Sequence, residues 1–304
     1  MKFKLRRYLL YYLGRCLAFL FYLIPFRAGV AIGGFLGELA FYIVGKYRLA
    51  AIENLEAAFG YEKSGPDIRA IAKKVFRNLG KNAAEIVNFP KINKSNIDKF
   101  IRLKNADILD RALEKGNGAI VLTGHFGNWE LLGVALRLKG YKGAAIGKRI
   151  YFGKYDAYLN SLRRVHDVNV IYRDESPKKA LRVLKDNGVI GMLADQDVDS
   201  VDGVFVDFFG KPAYTPTGPV TLARASGAAL IPAFVIRDNC HHTIEMKEPI
   251  ELVDTGDKEK DMIENTRRWS DVVEFYIRCY PEQWVWMHRR WKTKQISTHL
   301  DSRK

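Results

Sequence analysis

Between residues 99 and 246 the chain alternates short apolar runs with stretches of helical period, and few architectures accept that pattern. The runs, rich in Val, Ile and Leu, predict strands at 99–103, 119–123, 143–147, 169–172, 189–194, 230–237 and 243–246. Helical periodicity falls between most of them, near 105–115, 129–139, 153–166, 176–186 and 216–226, with a last helix at 260–279 ending before Pro281. The expectation is an α/β fold: a mostly parallel central sheet with helices on both faces. Open sheets of this kind carry their chemistry just beyond the carboxyl ends of the strands. The residues that follow each run are therefore the informative ones.

After the run at 119–123 comes Gly124-His125-Phe126-Gly127-Asn128-Trp129-Glu130, and then an apolar helix. Asn128 is placed as its N-cap, and Glu130 in its first turn, where the helix dipole favours a carboxylate. His125 stays outside the helix, on a turn loosened by two glycines. Five residues apart on a continuous helix would point about 140° away from each other, so the helix must begin between them for the two to meet. A carboxylate beside an imidazole fixes its tautomer and makes a general base of it. Taken alone, this spacing more often marks a capped helix whose neighbouring histidine satisfies a loop carbonyl.

Other strand ends add candidates. Asp195-Gln196-Asp197 closes the run at 189–194, either as a plain turn or as part of a site. Arg149 follows the run at 143–147 and Arg173 the run at 169–172, where a guanidinium can grip a phosphate or meet an oxyanion. Lys148, Arg163 and Arg164 lie close to them in sequence, and a solvated basic face explains each equally well. His241 and His242 read as surface residues of a turn, lacking a further metal ligand at a recognisable spacing. No Gly-x-Ser-x-Gly elbow is present, which disfavours a serine acyl-enzyme, and no His-Glu-x-x-His is present either. The aromatic run at 204–209 is an edge strand or a wall of an acyl groove. Trp284, Trp286 and Trp291, interleaved with His288, Arg289, Arg290 and Lys292, form an interfacial belt or pack under the sheet.

The N-terminal part is of another character. Lys2, Lys4, Arg6 and Arg7 precede an apolar stretch from 9 to 26, broken by Arg15 and without a small-residue cleavage site. A second apolar stretch, 28–44, carries Gly29, Gly33 and Gly37 on one helical stripe suited to close packing. Residues 1–45 are expected to attach the chain to a membrane, with the basic end cytoplasmic, although Arg15 disfavours a simple span and Glu38 suits a buried hairpin. Amphipathic helices follow at 48–59 and 67–89, separated by Ser64-Gly65-Pro66. The α/β domain is expected to occupy 46–293, with a polar tail at 294–304. A net charge of +15 implies an anionic partner. No nucleic-acid-binding signature accompanies it, which leaves an anionic membrane surface, a phosphorylated glycolipid or an acidic carrier protein. Three widely spaced cysteines argue against a disulfide framework.

The segment 124–130 resembles the signature of the bacterial lipid A biosynthesis acyltransferases, the lauroyl/myristoyl type related to lysophospholipid acyltransferases. Asp195-Gln196-Asp197, then Val204-Phe205-Val206-Asp207-Phe208-Phe209-Gly210, then Trp284-Val285-Trp286-Met287-His288-Arg289-Arg290-Trp291-Lys292 match in the same order, and Arg77-Asn78-Leu79-Gly80 is similar as well. The likeness runs from the N-terminal apolar segment to about residue 293. It implies a transferase on the cytoplasmic face of a bacterial inner membrane, acting in lipopolysaccharide (lipid A) biosynthesis. It implies an acyl-carrier protein or coenzyme A thioester as donor and a hydroxyl of a lipid A precursor as acceptor, with no metal or other cofactor. His125 would be the general base, oriented by Glu130, and Arg149, Arg173, Asp195, Gln196 and Asp197 would bind substrate. Asp199-Ser200-Val201-Asp202 stands where the family commonly has a glycine-containing segment, so the acceptor is the open point. Other acceptors, a phosphatidylinositol mannoside or a lysophospholipid, fit the same fold, and a non-catalytic basic membrane-binding protein is the rival of a different class.

Overall fold

A computed structural model describes residues 2–175 and 177–295; of the polar C-terminal stretch, residues 296–304 lie outside the described residues. The predicted alternation is present as a seven-stranded sheet. Its strands are β1 (Ile101–Lys104), β2 (Ala119–Thr123), β3 (Gly143–Gly147), β4 (Asn169–Tyr172), β5 (Val189–Leu193), β8 (Ala229–Asp238) and β9 (His241–Met246), in the order β1-β9-β8-β2-β5-β3-β4. Every neighbouring pair is parallel except β8 and β9, which run antiparallel through a tight connection at Asn239 and Cys240. The first strand begins at Ile101 rather than at residue 99, because a helical turn, Ile97–Lys99, precedes it. His241 and His242 belong to β9 and not to a turn.

Alternation along β2 shows how the sheet is covered. Ala119 and Val121 face a layer that includes α5 (Asp107–Glu114), α6 (Glu130–Leu138) and α7 (Gly153–Arg164). Ile120 and Leu122 face the opposite layer, with α8 (Pro177–Lys185), α9 (Gly218–Ser226) and α10 (Lys258–Cys279). Both faces of the central strands are thereby dry, as an unbroken apolar run requires.

The aromatic run at 204–209 does not form an edge of this sheet. It is β6 (Gly203–Phe208), paired antiparallel with β7 (Lys211–Pro216) in a separate hairpin. Phe208 and Phe209 are core residues, packed on Trp284 and on Trp286 and Phe59 respectively, while Phe205 lies against Tyr214. Trp284 and Trp286 are fully buried beside them, so the tryptophans pack within the fold rather than forming a belt. A large apolar ring saves more free energy buried than exposed, roughly 1.5–3 kcal/mol for a side chain such as Phe.

Four helices precede the sheet: α1 (Lys2–Leu23), α2 (Phe26–Ile43), α3 (Gly45–Phe59) and α4 (Gly65–Val87). Ser64 caps α4, its hydroxyl accepting from Asp67 N–H, with Pro66 in the first turn. The glycine stripe of α2 lies on α4 at backbone distance. A Cβ on Gly37 would stand 2.3 Å from the Phe76 carbonyl oxygen, and one on Gly80 only 2.1 Å from that of Gly33. Glu38, half-buried, pairs with Lys73 at 2.7 Å and Arg77 at 3.5 Å on α4. The outer faces of α1 and α2 remain apolar and exposed, with Leu9, Leu13, Leu20, Phe35 and Ile43 among them. Among the described residues α2 is the one helix long and apolar enough to cross a membrane.

Candidate active site

The turn after β2 is held from two sides. Gly127 adopts φ +56° and lies so close to β8 that a Cβ there would sit 1.7 Å from the Val235 carbonyl oxygen. From α4, Asn82 donates to the Gly127 carbonyl at 2.6 Å. Asn128 is not the N-cap of α6; Trp129 occupies that position without a side-chain capping bond. The Asn128 amide instead donates to Glu85 at 2.7 Å, because that fully buried carboxylate must collect every donor within reach. Arg237 forks onto Glu85 at 2.5 and 2.8 Å, and His242 Nε2 lies 3.1 Å away. Burial alone would raise the Glu85 pKa, but His242 and Arg237 hold it well below the carboxylate range. His242 is thus a buried partner of this carboxylate and not a surface residue.

The carboxylate on His125 is Asp195, not Glu130. Asp195 Oδ1 lies 2.8 Å from His125 Nδ1, and Oδ2 accepts from His125 backbone N–H at 2.7 Å and from Trp284 Nε1–H at 2.7 Å. β2 and β5 are neighbours, and the two residues follow their carboxyl ends. Desolvation pushes the Asp195 pKa up, yet His125 and the Trp284 donor outweigh it and bring the group down to about 2. Glu130, at the start of α6, is gripped by Arg163 of α7 through both oxygens, at 2.5 and 2.8 Å. The reason is the half-buried setting of both groups, in which a forked ion pair satisfies more donors than a single imidazole N–H could.

Gln196 reaches further. Its Nε2 lies 3.0 Å from His125 Nδ1 and 2.5 Å from Nε2 of His288, whose ring centre is 5.5 Å from that of His125. Burial, and then repulsion from His125, lower the His288 pKa to about 4, so this second imidazole is neutral at pH 7. Asp197 spends its oxygens on the backbone and hydroxyl of Thr293, at 2.6 and 2.7 Å. The C-terminal segment is drawn into the site by these bonds and by Val285 N–H, which donates to the His125 carbonyl.

Arg149 and Arg173 follow β3 and β4 on the same edge, one strand and two strands beyond β5. At about 4.8 Å per strand, β3 lies roughly 10 Å from the His125 strand and β4 roughly 14 Å. Both side chains are exposed. Arg149 stacks over the Tyr172 ring at 3.8 Å and pairs with Asp174 and Glu175. Neither makes a hydrogen bond to His125 among the described residues. Of the basic residues near them in sequence, Arg163 is one that enters the site's framework, through Glu130.

A narrow apolar cleft opens between α6 and strands β3 and β5. Trp129, whose ring centre is 5.1 Å from that of His125, stands at one end, with Leu193 of β5 nearby. Val189 and Gly143 line the other end, roughly 13 Å along the sheet at the usual rise of a strand. Gly133, Ala145 and Gly191 keep the walls apart by presenting little side chain. Among the described residues no group of three His, Cys, Asp or Glu side chains is arranged to hold a metal ion.

Several of these residues were not marked by sequence reasoning. Asn82 and Glu85 continue, at helical spacing on α4, a polar stripe that begins at Asn78 of the family-like segment 77–80, and that spacing was a usable signal. Asn78 donates to the Glu282 carbonyl, so the whole stripe faces the turn and the C-terminal segment. Trp284 and His288 lie within the Trp-rich motif, for which a belt or packing under the sheet is the expectation, and nothing in it points to Asp195 or Gln196. Nothing local marked the Glu130–Arg163 pair.

Residues 1–293 match the family model described as bacterial lipid A biosynthesis acyltransferase. The chain is 27% identical over 296 residues to the lipid A biosynthesis lauroyltransferase of Escherichia coli (strain K12), covering 95% of this chain and 93% of that protein. It is 24% identical over 293 residues, with the same coverages, to the lipid A biosynthesis palmitoleoyltransferase of that strain. It is also 26% identical over 222 residues, 70% of this chain and 68% of the relative, to the phosphatidylinositol mannoside acyltransferase of Mycobacterium tuberculosis (strain ATCC 25618 / H37Rv).

Proposed function

The chain belongs to the bacterial lipid A biosynthesis acyltransferase family and is an acyltransferase, and we propose that it transfers a fatty acyl chain from a carrier thioester to a hydroxyl of a membrane glycolipid. The observation that carries the reading is the His125–Asp195 pair, next to Trp129, which lines one end of an apolar cleft. With Nδ1 committed to Asp195, Nε2 of His125 is the base. It takes the proton of the acceptor hydroxyl as the hydroxyl oxygen attacks the thioester carbonyl carbon. The carbonyl electron pair moves to oxygen and returns as the carbon–sulfur bond breaks. The thiolate then leaves with the proton from Nε2, giving ester and thiol. Asp195 steadies the imidazolium between these steps.

The acyl chain lies in the cleft between α6 and β3/β5. The donor is an acyl-carrier protein or coenzyme A thioester, and the acceptor a lipid A precursor. Arg149 and Arg173, exposed on the same edge, are the candidates to meet the acceptor's phosphates, Arg149 by exchanging Asp174 and Glu175 for them. The apolar outer faces of α1 and α2 support attachment to the cytoplasmic face of an inner membrane through residues 1–45. A phosphatidylinositol mannoside acceptor is the second reading, favoured by the mycobacterial relative.

The test is an acyl-transfer assay with the full chain in detergent, offering acyl-carrier-protein and coenzyme A thioesters against each acceptor. Ester formation on the lipid A precursor, abolished in His125→Ala, is the expected result. Transfer only to the mannoside would select the second reading, and no transfer to either would overturn both.

A further inference from the structure

We propose that the amide of Gln196 is turned carbonyl-inward, and that His288, as the N–H donor to that carbonyl, is a positioning residue for His125. The inference rests on the acyl-transfer reading only for its kinetic consequence. Its starting point is Asp195. This carboxylate is buried and accepts two N–H bonds on Oδ2, which keeps it ionised. An ionised oxygen 2.8 Å from His125 Nδ1 requires a proton between them, so Nδ1 is the protonated nitrogen of the neutral ring.

That assignment decides the amide. The end of Gln196 that faces the site stands 3.0 Å from the same Nδ1. A protonated Nδ1 cannot accept from an NH2 group, so the atom there must be the carbonyl oxygen. The two ends of an amide differ only in which hydrogen bonds they make. The carbonyl shares the Nδ1 proton with Asp195. The atom is also 2.5 Å from His288 Nε2. An oxygen there needs a donor, so His288 carries its proton on Nε2. A neutral His288 has just one such proton, and this contact claims it.

One ionised aspartate thereby fixes the tautomers of two imidazoles and the orientation of the amide between them. The consequence for the reaction is electrostatic. When His125 takes the acceptor's proton it becomes a cation, and it then faces a carboxylate and the negative end of an amide dipole. Without His288 the amide is free to rotate and present its NH2 to the imidazolium, which disfavours the charged ring. His288 touches no substrate in this scheme; it acts through Gln196.

Two-bond proton–nitrogen correlation spectra of the full chain in detergent, with 15N-labelled histidine, read the tautomers directly and need no substrate. His125→Ala and His288→Gln assign the two rings. The expected wild-type spectrum at neutral pH has His125 protonated on Nδ1 and His288 on Nε2. His125 protonated on Nε2 alone, or His288 on Nδ1 alone, would overturn the proposal whatever reaction the protein performs. In the transfer assay His288→Leu should lower kcat roughly ten- to a hundredfold, part of the 10²–10⁴ a positioned base supplies. KM should change little. His288→Gln restores an N–H near the place of Nε2 and should recover most of the rate. A purely structural role predicts instead that both variants follow thermal stability and not the donor. If wild type shows the expected tautomers but no acyl transfer, the functional reading fails and the tautomer assignment stands.

Discussion

Asp195 holds His125 twice, by the ring Nδ1 and by the backbone N–H. One side chain therefore fixes both where the imidazole sits and which way it points. The same carboxylate binds Trp284, so strand β5, the turn after β2 and the C-terminal segment meet at a single group. Replacing Asp195 should lower kcat severely. Asp195→Asn keeps the volume but offers an amide where an ionised acceptor is needed, and a wrong tautomer in a comparable triad costs about 10⁴-fold. Initial rates of ester formation check this. A loss smaller than that of Glu130→Gln would assign the orienting role to Glu130 after all.

Glu130→Gln tests the other half of the pair. Its forked bond to Arg163 is mostly shielded from water, so losing the charge leaves a guanidinium half-buried and unpaired. The expected cost is roughly 1–3 kcal/mol of stability, below that of a fully buried pair because some water reaches the site. The double variant Glu130→Gln/Arg163→Met should regain part of it, and thermal unfolding in detergent measures both.

Acidification should destabilise the protein in two separate windows. His288 has a folded pKa of about 4 against an ordinary value near 6.5. Its contribution is complete above the ordinary value and is lost as pH falls from about 6.5 towards 4, since the unfolded chain binds the proton first. Asp195, lowered to about 2, contributes fully above the ordinary carboxylate range and is lost only below it. His288→Gln should make the first window shallower without abolishing it, because burial also holds His242 below its ordinary value, and should leave the second. Unfolding midpoints against pH decide the point.

The cleft predicts chain-length selection. Ala145→Leu adds bulk to the wall between β3 and β5, and Met192→Ala removes it. The first should shift preference towards shorter acyl donors and the second towards longer ones. One methylene in an apolar pocket discriminates by roughly 10–200-fold at most. Competition between thioesters of different length gives the ratio, and an unchanged ratio in both variants would place the acyl chain elsewhere.

Much of this was legible beforehand, for identifiable reasons. Strands β2, β3 and β4 have the predicted limits because unbroken apolar runs between turn signals leave no other choice of register. The glycines of α2 announced a close helix contact, and Gly80 completes it. Pairing across the sheet was not legible. That β5 lies beside β2 depends on the order of strands, so Asp195 could be placed on the right edge but not against His125. Local sequence pointed to Glu130 instead, five residues away, and gave no hint that Arg163 of another helix would claim it. The aromatic hairpin at 203–216 misled for a related reason: a run of phenylalanines looks the same lining a groove or filling a core.

The bonds from Trp284 to Asp195 and from Val285 to the His125 carbonyl carry a further consequence, for the timing of the protein's birth. Translation delivers His125 and Asp195 long before the segment that closes on both, so a nascent chain holds its base and its carboxylate without the framework that joins them. Competence to transfer acyl groups would then arrive only once residues 284–285 have been made, after the N-terminal helices have had time to find their place. A chain ending at Gln283 should retain much of its sheet, by circular dichroism, and yet be inactive. Activity in that truncated chain would show that the closing segment is dispensable.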